Sequence, residues 1–327
     1  MLIEVSENTQ VGEARRHAVA LAEEWEMGEP RSGAIALATT EMATNLVKHV
    51  GRGHILVQHL HEDSNHGVRL ISVDKGPGIA NVAQALADGH STAGSMGAGL
   101  GAIKRLCDGF DIYTVPGSGT VISAEFWQTK RRRHASMDFA VVSEPIRGEE
   151  VCGDGWGAYA NSEEMVLMVA DGLGHGVLAA EAAREAELVL ARAHAAPLSE
   201  IVHDMHAALK KTRGAALGIA KIDISRSLMF FAGVGNTSAV LVAPGSSRSL
   251  VSHNGTVGQS MQRLQEFSCP WNPGIILVMH SDGLGTRWDL ERYPGIWTKS
   301  PSLIAAVLHR DFSRGRDDVT VLVAKAA

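Results

Sequence analysis

At 327 residues, with 45% hydrophobic and 20% charged residues, the chain is long enough for two cores and has the balance of a soluble globular protein. The net charge of −6 gives no reason to expect nucleic acid as a partner. Cys107, Cys152 and Cys269 lack CxxC spacing, which argues against a disulfide framework or a zinc site. No apolar run is long enough to span a bilayer, and Met1-Leu2-Ile3-Glu4 lacks the basic-then-apolar order of a secretory signal. A cytoplasmic protein with no membrane partner is therefore expected. The histidines are scattered and show no HExxH pattern.

In chain order, Leu2 to Val5 reads as an edge strand. Val11 to Met27 reads as an amphipathic helix closed by Gly28 and Pro30. A second helix is predicted from Ser32 to Val50, with Ile35, Leu37, Ala38, Met42, Leu46 and Val47 on its apolar stripe. Ile55 to Leu60 and Val68 to Val73 read as strands joined by a polar turn. Asn81 to Gly97 is small, polar and glycine-bearing, and reads as a mobile cover. A short helix, Leu100 to Cys107, precedes two closing strands, Phe110 to Val115 and Thr120 to Phe126.

Lys130-Arg131-Arg132-Arg133-His134 is the expected boundary, a solvated basic run within a linker over 128–136. Beyond it, strands are predicted at Met137 to Ser143, Met165 to Ala170, Ala216 to Ile222, Leu228 to Gly233, Ser238 to Val242, Ile275 to His280 and Val319 to Ala324. Helices are predicted at Val177 to Ala195, Leu198 to Thr212 and Ser302 to Asp311. Many strands with helices inserted in pairs give an α+β plan.

Two stretches carry chemistry. No GxxxxGK[ST] occurs, so a Walker-type phosphate cradle is excluded. Glu41 and Asn45 stand four apart on the second helix and share a face. A carboxylate and an amide together can hold a water or hydroxyl and a hydrated Mg²⁺. Asp74 ends a strand and opens the turn Lys75-Gly76-Pro77-Gly78. There it can accept from an exocyclic amine such as adenine's, while Gly76 and Gly78 let a base lie against backbone. Gly97-Ala98-Gly99-Leu100-Gly101 opens a helix, whose free N–H groups suit phosphate. Singly these pieces also read as a polar helix face, a hairpin turn and a loop; their order and spacing set them apart.

On these motifs, residues 1–127 resemble the histidine-kinase-type ATPases of the Bergerat fold. Within that group they look like the serine kinases of the anti-sigma-factor family, and most like RsbT-type switch kinases. Glu41 to His49 matches the N box, Asp74 to Ile79 the first glycine box and Gly97 to Gly101 the second. His49 departs from the pattern, since RsbT-type kinases usually carry an aromatic residue there. The resemblance implies ATP and Mg²⁺ as cofactors. It makes Asn45 a Mg²⁺ ligand, Glu41 the residue that orients or deprotonates a substrate serine, and Asp74 the adenine contact.

In the second half, the apolar run Met165 to Ala170 ends on Asp171, followed by Gly172, Gly174, His175 and Gly176. A carboxylate at the mouth of a buried strand is costly unless a cation sits beside it. Asp282 follows the Ile275 strand, Asp317-Asp318 precede the last strand and Asp154 precedes the set. With the Gly172 carbonyl they form an oxygen donor set suited to Mg²⁺ or Mn²⁺. Two such ions close together activate water and clamp phosphoryl oxygens. Asp204 and Asp289 read instead as ordinary cap or turn residues.

Residues 137–327 resemble the PP2C-type metal-dependent serine/threonine phosphatases, in their SpoIIE/RsbX branch. Gly153-Asp154, Ala170 to Gly176, Gly233 to Asn236, Ser281-Asp282-Gly283 and Asp317 to Thr320 match its motifs in order. The resemblance implies that Asp171 bridges two Mn²⁺ or Mg²⁺ ions and that Gly172 adds a carbonyl to one. Asp282 and Asp317, favoured over Asp318, complete the other, and Asp154 acts at the same centre directly or through water. His175 is assigned to motif geometry.

The whole is expected to be a Bergerat-type α/β sandwich over 1–127, joined by the basic linker to a PP2C-type β-sandwich flanked by helices over 137–327. The resemblance implies a bifunctional switch that phosphorylates and dephosphorylates a STAS-domain protein, RsbS/RsbR-like or an anti-anti-sigma factor, in a sigma-factor regulatory pathway. Two alternatives stand beside it: a phosphatase with a non-catalytic ATP-sensing domain, and an anti-sigma-like binding module fused to a phosphatase.

Overall fold

The computed structural model describes residues 1–62, 64–87, 99–129, 137–261 and 264–326. Packing divides it into two units, Met1–Arg133 with Pro294–Arg310, and His134–Tyr293 with Asp311–Ala327. The sequence division at 128–136 treats 137–327 as continuous, whereas packing groups Pro294–Arg310 with the first unit. The reason is local. Lys299 Nζ and the Ser300 N–H both bond the Asp111 carboxylate, at 3.1 and 2.9 Å, and the Ser302 hydroxyl bonds that of Ser123 at 3.2 Å.

In the first unit, β1 (Leu2–Val5), α1 (Asn8–Glu24), α2 (Glu29–His49), β2 (Gly53–Glu62), β3 (Asn65–Val73), α3 (Val82–Leu86), α4 (Leu100–Leu106), β4 (Gly109–Thr114) and β5 (Thr120–Trp127) follow in order. The strands form one antiparallel sheet, β1-β2-β3-β5-β4. Alternation sends Ile55, Val57, Val68, Leu70, Ile122, Ala124 and Phe126 to the helix-bearing face, where they meet Ile35, Ala38, Met42 and Leu46 of α2. Each large apolar side chain buried there contributes about 1.5–3 kcal/mol.

Two boundaries differ from expectation. α1 starts earlier than Val11 because the Gln10 amide oxygen accepts from the Ser6 and Glu7 N–H groups at 2.7 and 3.1 Å, capping an added turn. Pro30 opens α2 rather than closing α1, since a proline in the first turn has no hydrogen bond to lose. The proposed cover begins as α3, capped by Asn81, and its stretch 88–98 lies outside the described residues. So does the basic run 130–136.

The second unit contains β6 (Met137–Glu144), β7 (Asp154–Ala160), β8 (Glu164–Gly172), α5 (Val177–Ala193), α6 (Leu198–Ala208), β9 (Ala215–Asp223), β10 (Leu228–Val234), β11 (Ser238–Ala243), β12 (Ser246–Leu250), the short β13 (Gly255–Thr256) and β14 (Ser260–Met261), β15 (Phe267–Pro270), β16 (Ile276–His280) and β17 (Val319–Ala326). Helix α7 (Pro301–Phe312) lies between the last two strands in sequence. Two five-stranded sheets, β15-β10-β9-β8-β7 and β12-β11-β16-β17-β6, enclose a shared core. Met165, Leu167 and Val169 face this core with Leu277, Met279, Leu322 and Ala324. Val166, Met168 and Ala170 face the other way, against α5 and α6. Both faces of β8 are buried, which is why its sequence is a continuous apolar run.

Strand β7 was not expected, because glycine is a poor strand former. Here Gly155 and Gly157 allow close approach. A Cβ on Gly155 would lie 2.9 Å from the Ala183 methyl, and one on Gly157 2.5 Å from Leu190. The alanine face of α5 can therefore press directly onto the strand.

Candidate functional site

The inward rows of the sandwich run out of apolar residues at one end. On β8 the row Met165, Leu167, Val169 continues to Asp171. In the antiparallel ladder Asp154 of β7 pairs directly with Asp171. On β17 the row Ala324, Leu322 continues to Thr320 and Asp318; past β16, Leu277 and Met279 lead to Ser281 and then Asp282. The period-two geometry that fills the core thus brings carboxylates and hydroxyls from four chain segments to the same end of the sandwich.

These carboxylates repel one another and are poorly hydrated. Burial first, and then Asp171 and Asp318, push Asp154 up to about 8, against the opposing hydrogen bonds from the Ser281 and Thr320 hydroxyls. Ser281 Oγ donates to Asp154 Oδ2 at 2.6 Å and itself accepts from the Thr320 N–H at 2.9 Å. Burial, then Asp282 and Asp317, push Asp171 up to about 7, although the Asp282 N–H donates to it. Asp282 and Asp318 are also raised, each first by burial. The Asn236 amide holds one Asp282 oxygen, and the Ile146 N–H donates to Asp318 Oδ1 at 2.8 Å.

Asp171 Oδ2 and Asp318 Oδ2 are buried without a hydrogen-bond partner. A buried carboxylate oxygen with no donor is costly, and a cation would relieve it. The donor set is all oxygen, so the residues fit a hard divalent ion. Among the described residues, no three acidic, histidine or cysteine side chains close around a single point. A cation would therefore also need the Gly172 carbonyl and water, which such ions accept. Gly172 donates its N–H to the Gly153 carbonyl at 3.2 Å, and a Cβ there would run into the Ala179 carbonyl.

His175 Nδ1 lies 2.8 Å from Glu149 Oε1 and its ring is exposed, a geometry of the loop rather than of the carboxylate cluster. Asp289 caps a short turn by accepting from the Glu291 N–H, as expected. Burial, and then Asp154, push the Cys152 thiol up to about 12, so it stays protonated and is no nucleophile.

In the first unit, burial raises the Glu41 carboxyl while Lys48 opposes the shift. Asn45 follows one turn later on α2. Asp74 is 8% exposed. Its Oδ1 accepts from the Gly76 N–H at 2.7 Å and the Thr120 N–H at 3.2 Å, leaving Oδ2 for another donor. Burial raises Asp74, and these two bonds and Arg310 oppose it. A Cβ on Gly76 would lie 2.8 Å from Val50, so glycine lets this turn close against the end of α2. Gly78 has φ +73 and faces the Val115 carbonyl, where only glycine is unstrained. Gly99 caps α4, Gly101 is buried within it, and Gly97 lies outside the described residues.

Sequence reasoning missed the supporting residues. Ser281, Thr320 and Asn236 stand inside the phosphatase-like motifs, but their side-chain roles depend on partners far away in sequence. Arg310 carried no motif signal, because its neighbour Asp74 is distant in sequence.

A family model described as a histidine kinase-like ATPase domain matches residues 5–126, and one described as stage II sporulation protein E (SpoIIE) matches residues 161–327. The chain is 39% identical over 90 residues to the serine/threonine-protein kinase RsbT of Bacillus subtilis (strain 168), covering 28% of this chain and 68% of RsbT. It is 28% identical over 138 residues to the phosphoserine phosphatase RsbX of the same organism, covering 42% of this chain and 69% of RsbX. Among solved structures it is similar in fold to RsbX in complex with magnesium, with a TM-score of 0.53 and 23% identity over 60% of this chain and 98% of that one.

Proposed function

The chain belongs to the SpoIIE family of PP2C-type phosphatases and carries ahead of that domain a histidine kinase-like ATPase domain related to RsbT, and on that premise we propose that it is a two-way switch. One site transfers phosphate from ATP to a serine or threonine of a STAS-domain protein, and the other removes it. We keep 1–127 and 137–327 as the two functional domains of this switch, joined by the 128–136 linker. The observation that carries the reading is the approach of Asp282, Asp317 and Asp318 to Asp171, with Asp171 Oδ2 and Asp318 Oδ2 buried and without a hydrogen-bond partner.

In the phosphatase site, Asp171, the Gly172 carbonyl, Asp282 and Asp317 would hold divalent ions with water completing their shells, and Asp154 and Asp318 would act at the same centre. Mg²⁺ or Mn²⁺ there supplies Lewis acidity toward water and phosphoryl oxygens. Ser281 and Thr320 orient Asp154, and Asn236 orients Asp282. No side-chain nucleophile is required. In the kinase site, Asn45 would hold Mg²⁺, and Asp74 Oδ2 is placed to accept from the adenine amine. Glu41, with its carboxyl raised by burial, accepts the substrate hydroxyl proton. Glu41→Ala should abolish labelling of a STAS-domain protein by γ-labelled ATP and leave ATP binding intact. Retention of labelling would rule out this role.

One contact favours a second reading, in which the ATPase domain senses nucleotide without transferring phosphate. Arg310, from the stretch between Asp282 and Asp317, donates to the Asp74 backbone carbonyl. Phosphatase activity that responds to ATP in a chain that never labels the STAS protein would select this reading. The two activities on one chain also raise the effective concentration of each at a shared partner.

A further inference from the structure

The ladder between β8 and β9 pairs Asp171 with Ala216 and Gly172 with Ala215. The turn before β9 therefore runs alongside the glycine loop that follows Asp171, and the Leu173 N–H donates to the Gly214 carbonyl at 3.0 Å. This turn is fixed. Thr212 Oγ1 donates to the Leu209 carbonyl at 2.8 Å and accepts from the Gly214 N–H at 3.0 Å. Gly214 has φ +83, and a Cβ there would lie 2.7 Å from the Val257 carbonyl. Between these anchored residues stands Arg213.

Its guanidinium reaches back over the loop. Nη1 lies where a Cβ on Gly174 would be only 2.9 Å away, and Gly174 itself has φ +92. Arg213 is exposed, and among the described residues it has no hydrogen-bond or ion-pair partner. Near the same loop, His175 Nδ1 lies 2.8 Å from Glu149 Oε1, and Arg314 acts electrostatically on Asp282. An unpaired guanidinium on a rigid turn beside the glycine loop that follows Asp171 has a fork of donors and no acceptor. A phosphate dianion supplies two acceptor oxygens with matching spacing.

We propose that Arg213 is a substrate-binding residue of the phosphatase site that takes the phosphoryl oxygens of a phosphoserine or phosphothreonine side chain. It provides the site with a cation that belongs to the protein rather than to the metal. No bond forms or breaks at Arg213; it holds the ester while the carboxylate cluster positions the ions. This assignment rests on the phosphatase reading of the Asp171 cluster.

The test is steady-state hydrolysis of a phosphoserine peptide by the full chain with saturating Mn²⁺. Wild type, Arg213→Ala and Arg213→Lys are compared, together with inhibition by inorganic phosphate. Arg213→Ala should raise KM at least tenfold and weaken phosphate inhibition in parallel, while kcat and the Mn²⁺ concentration for half-maximal rate change less than threefold. Arg213→Lys should recover part of the loss. Unchanged KM and phosphate inhibition in an active Arg213→Ala variant would overturn the assignment, as would a loss confined to Mn²⁺ response. Wild-type chain that hydrolyses no phosphopeptide with Mn²⁺ or Mg²⁺ would instead overturn the phosphatase reading on which it rests.

Discussion

Arg310 Nη1 donates a hydrogen bond to the backbone carbonyl of Asp74 at 3.3 Å. The carboxylate proposed to receive the adenine amine thus has a cation at its back, opposing the upward pull of burial. Arg310→Ala should let the Asp74 carboxyl rise further and weaken its acceptance of an amine. A charge-assisted bond of this kind contributes about 1.5 kcal/mol, or roughly tenfold in Kd for an ATP analogue. Calorimetric titration of the variant checks this, and an unchanged Kd would remove Arg310 from the nucleotide site.

The metal-free protein should lose stability as pH rises. Asp171 and Asp154 have folded-state values of about 7 and about 8, against an ordinary value of 3.8. A raised carboxyl contributes stability that is complete below its unfolded value and lost as pH climbs through the folded one. Thermal melts in chelator should therefore fall between about pH 4 and pH 8. Mn²⁺ should raise the melting temperature most at the alkaline end. A flat profile that Asp171→Asn leaves unaltered would contradict the buried-carboxylate account.

An opposite slope is expected from the first unit. His59 stacks on Trp25 and lies 3.0 Å from His66 Nδ1. Burial first, then His66 and His61, push it down to about 4. Its contribution is present above the ordinary 6.5 and is lost as pH falls from there through about 4. His59→Phe should flatten the acid side of the melting profile of the first unit. A steeper acid slope in the variant would show that the imidazole stack is not responsible.

Gly172→Ala tests the loop's packing separately from its chemistry. The added methyl meets the Ala179 carbonyl and lies 2.8 Å from that of Gly153. Overpacking against backbone costs about 1–3 kcal/mol, to be read as a lower denaturation midpoint in chelator. Wild-type stability would mean that the Gly153–Ala179 contact yields easily.

The division between what the chain declares and what it conceals follows from sequence distance. Asp171, Asp282 and Asp317 are legible because each ends or begins an apolar strand, where a bare carboxylate is out of place. The turn after Asp74 is legible because Gly76 and Gly78 stand where a side chain would meet Val50 or the Val115 carbonyl. Strand β7 was hidden, since Gly155 and Gly157 read as loop until the alanines of α5 arrive opposite them. Pro30 was assigned to the end of one helix when it begins the next. Lys299, Ser302 and Arg310 gave no sign of their partners, which lie some 180 or more residues earlier in the chain.

The most direct test of the switch is a time course with γ-labelled ATP, Mg²⁺ and Mn²⁺, and a STAS-domain protein from the same organism, comparing the intact chain with Asp171→Ala. The account predicts that Asp171→Ala accumulates labelled STAS protein while the intact chain releases the label as inorganic phosphate. If neither labels the STAS protein, yet the intact chain dephosphorylates it when supplied already phosphorylated, the ATPase domain is no kinase and the two-way switch is wrong.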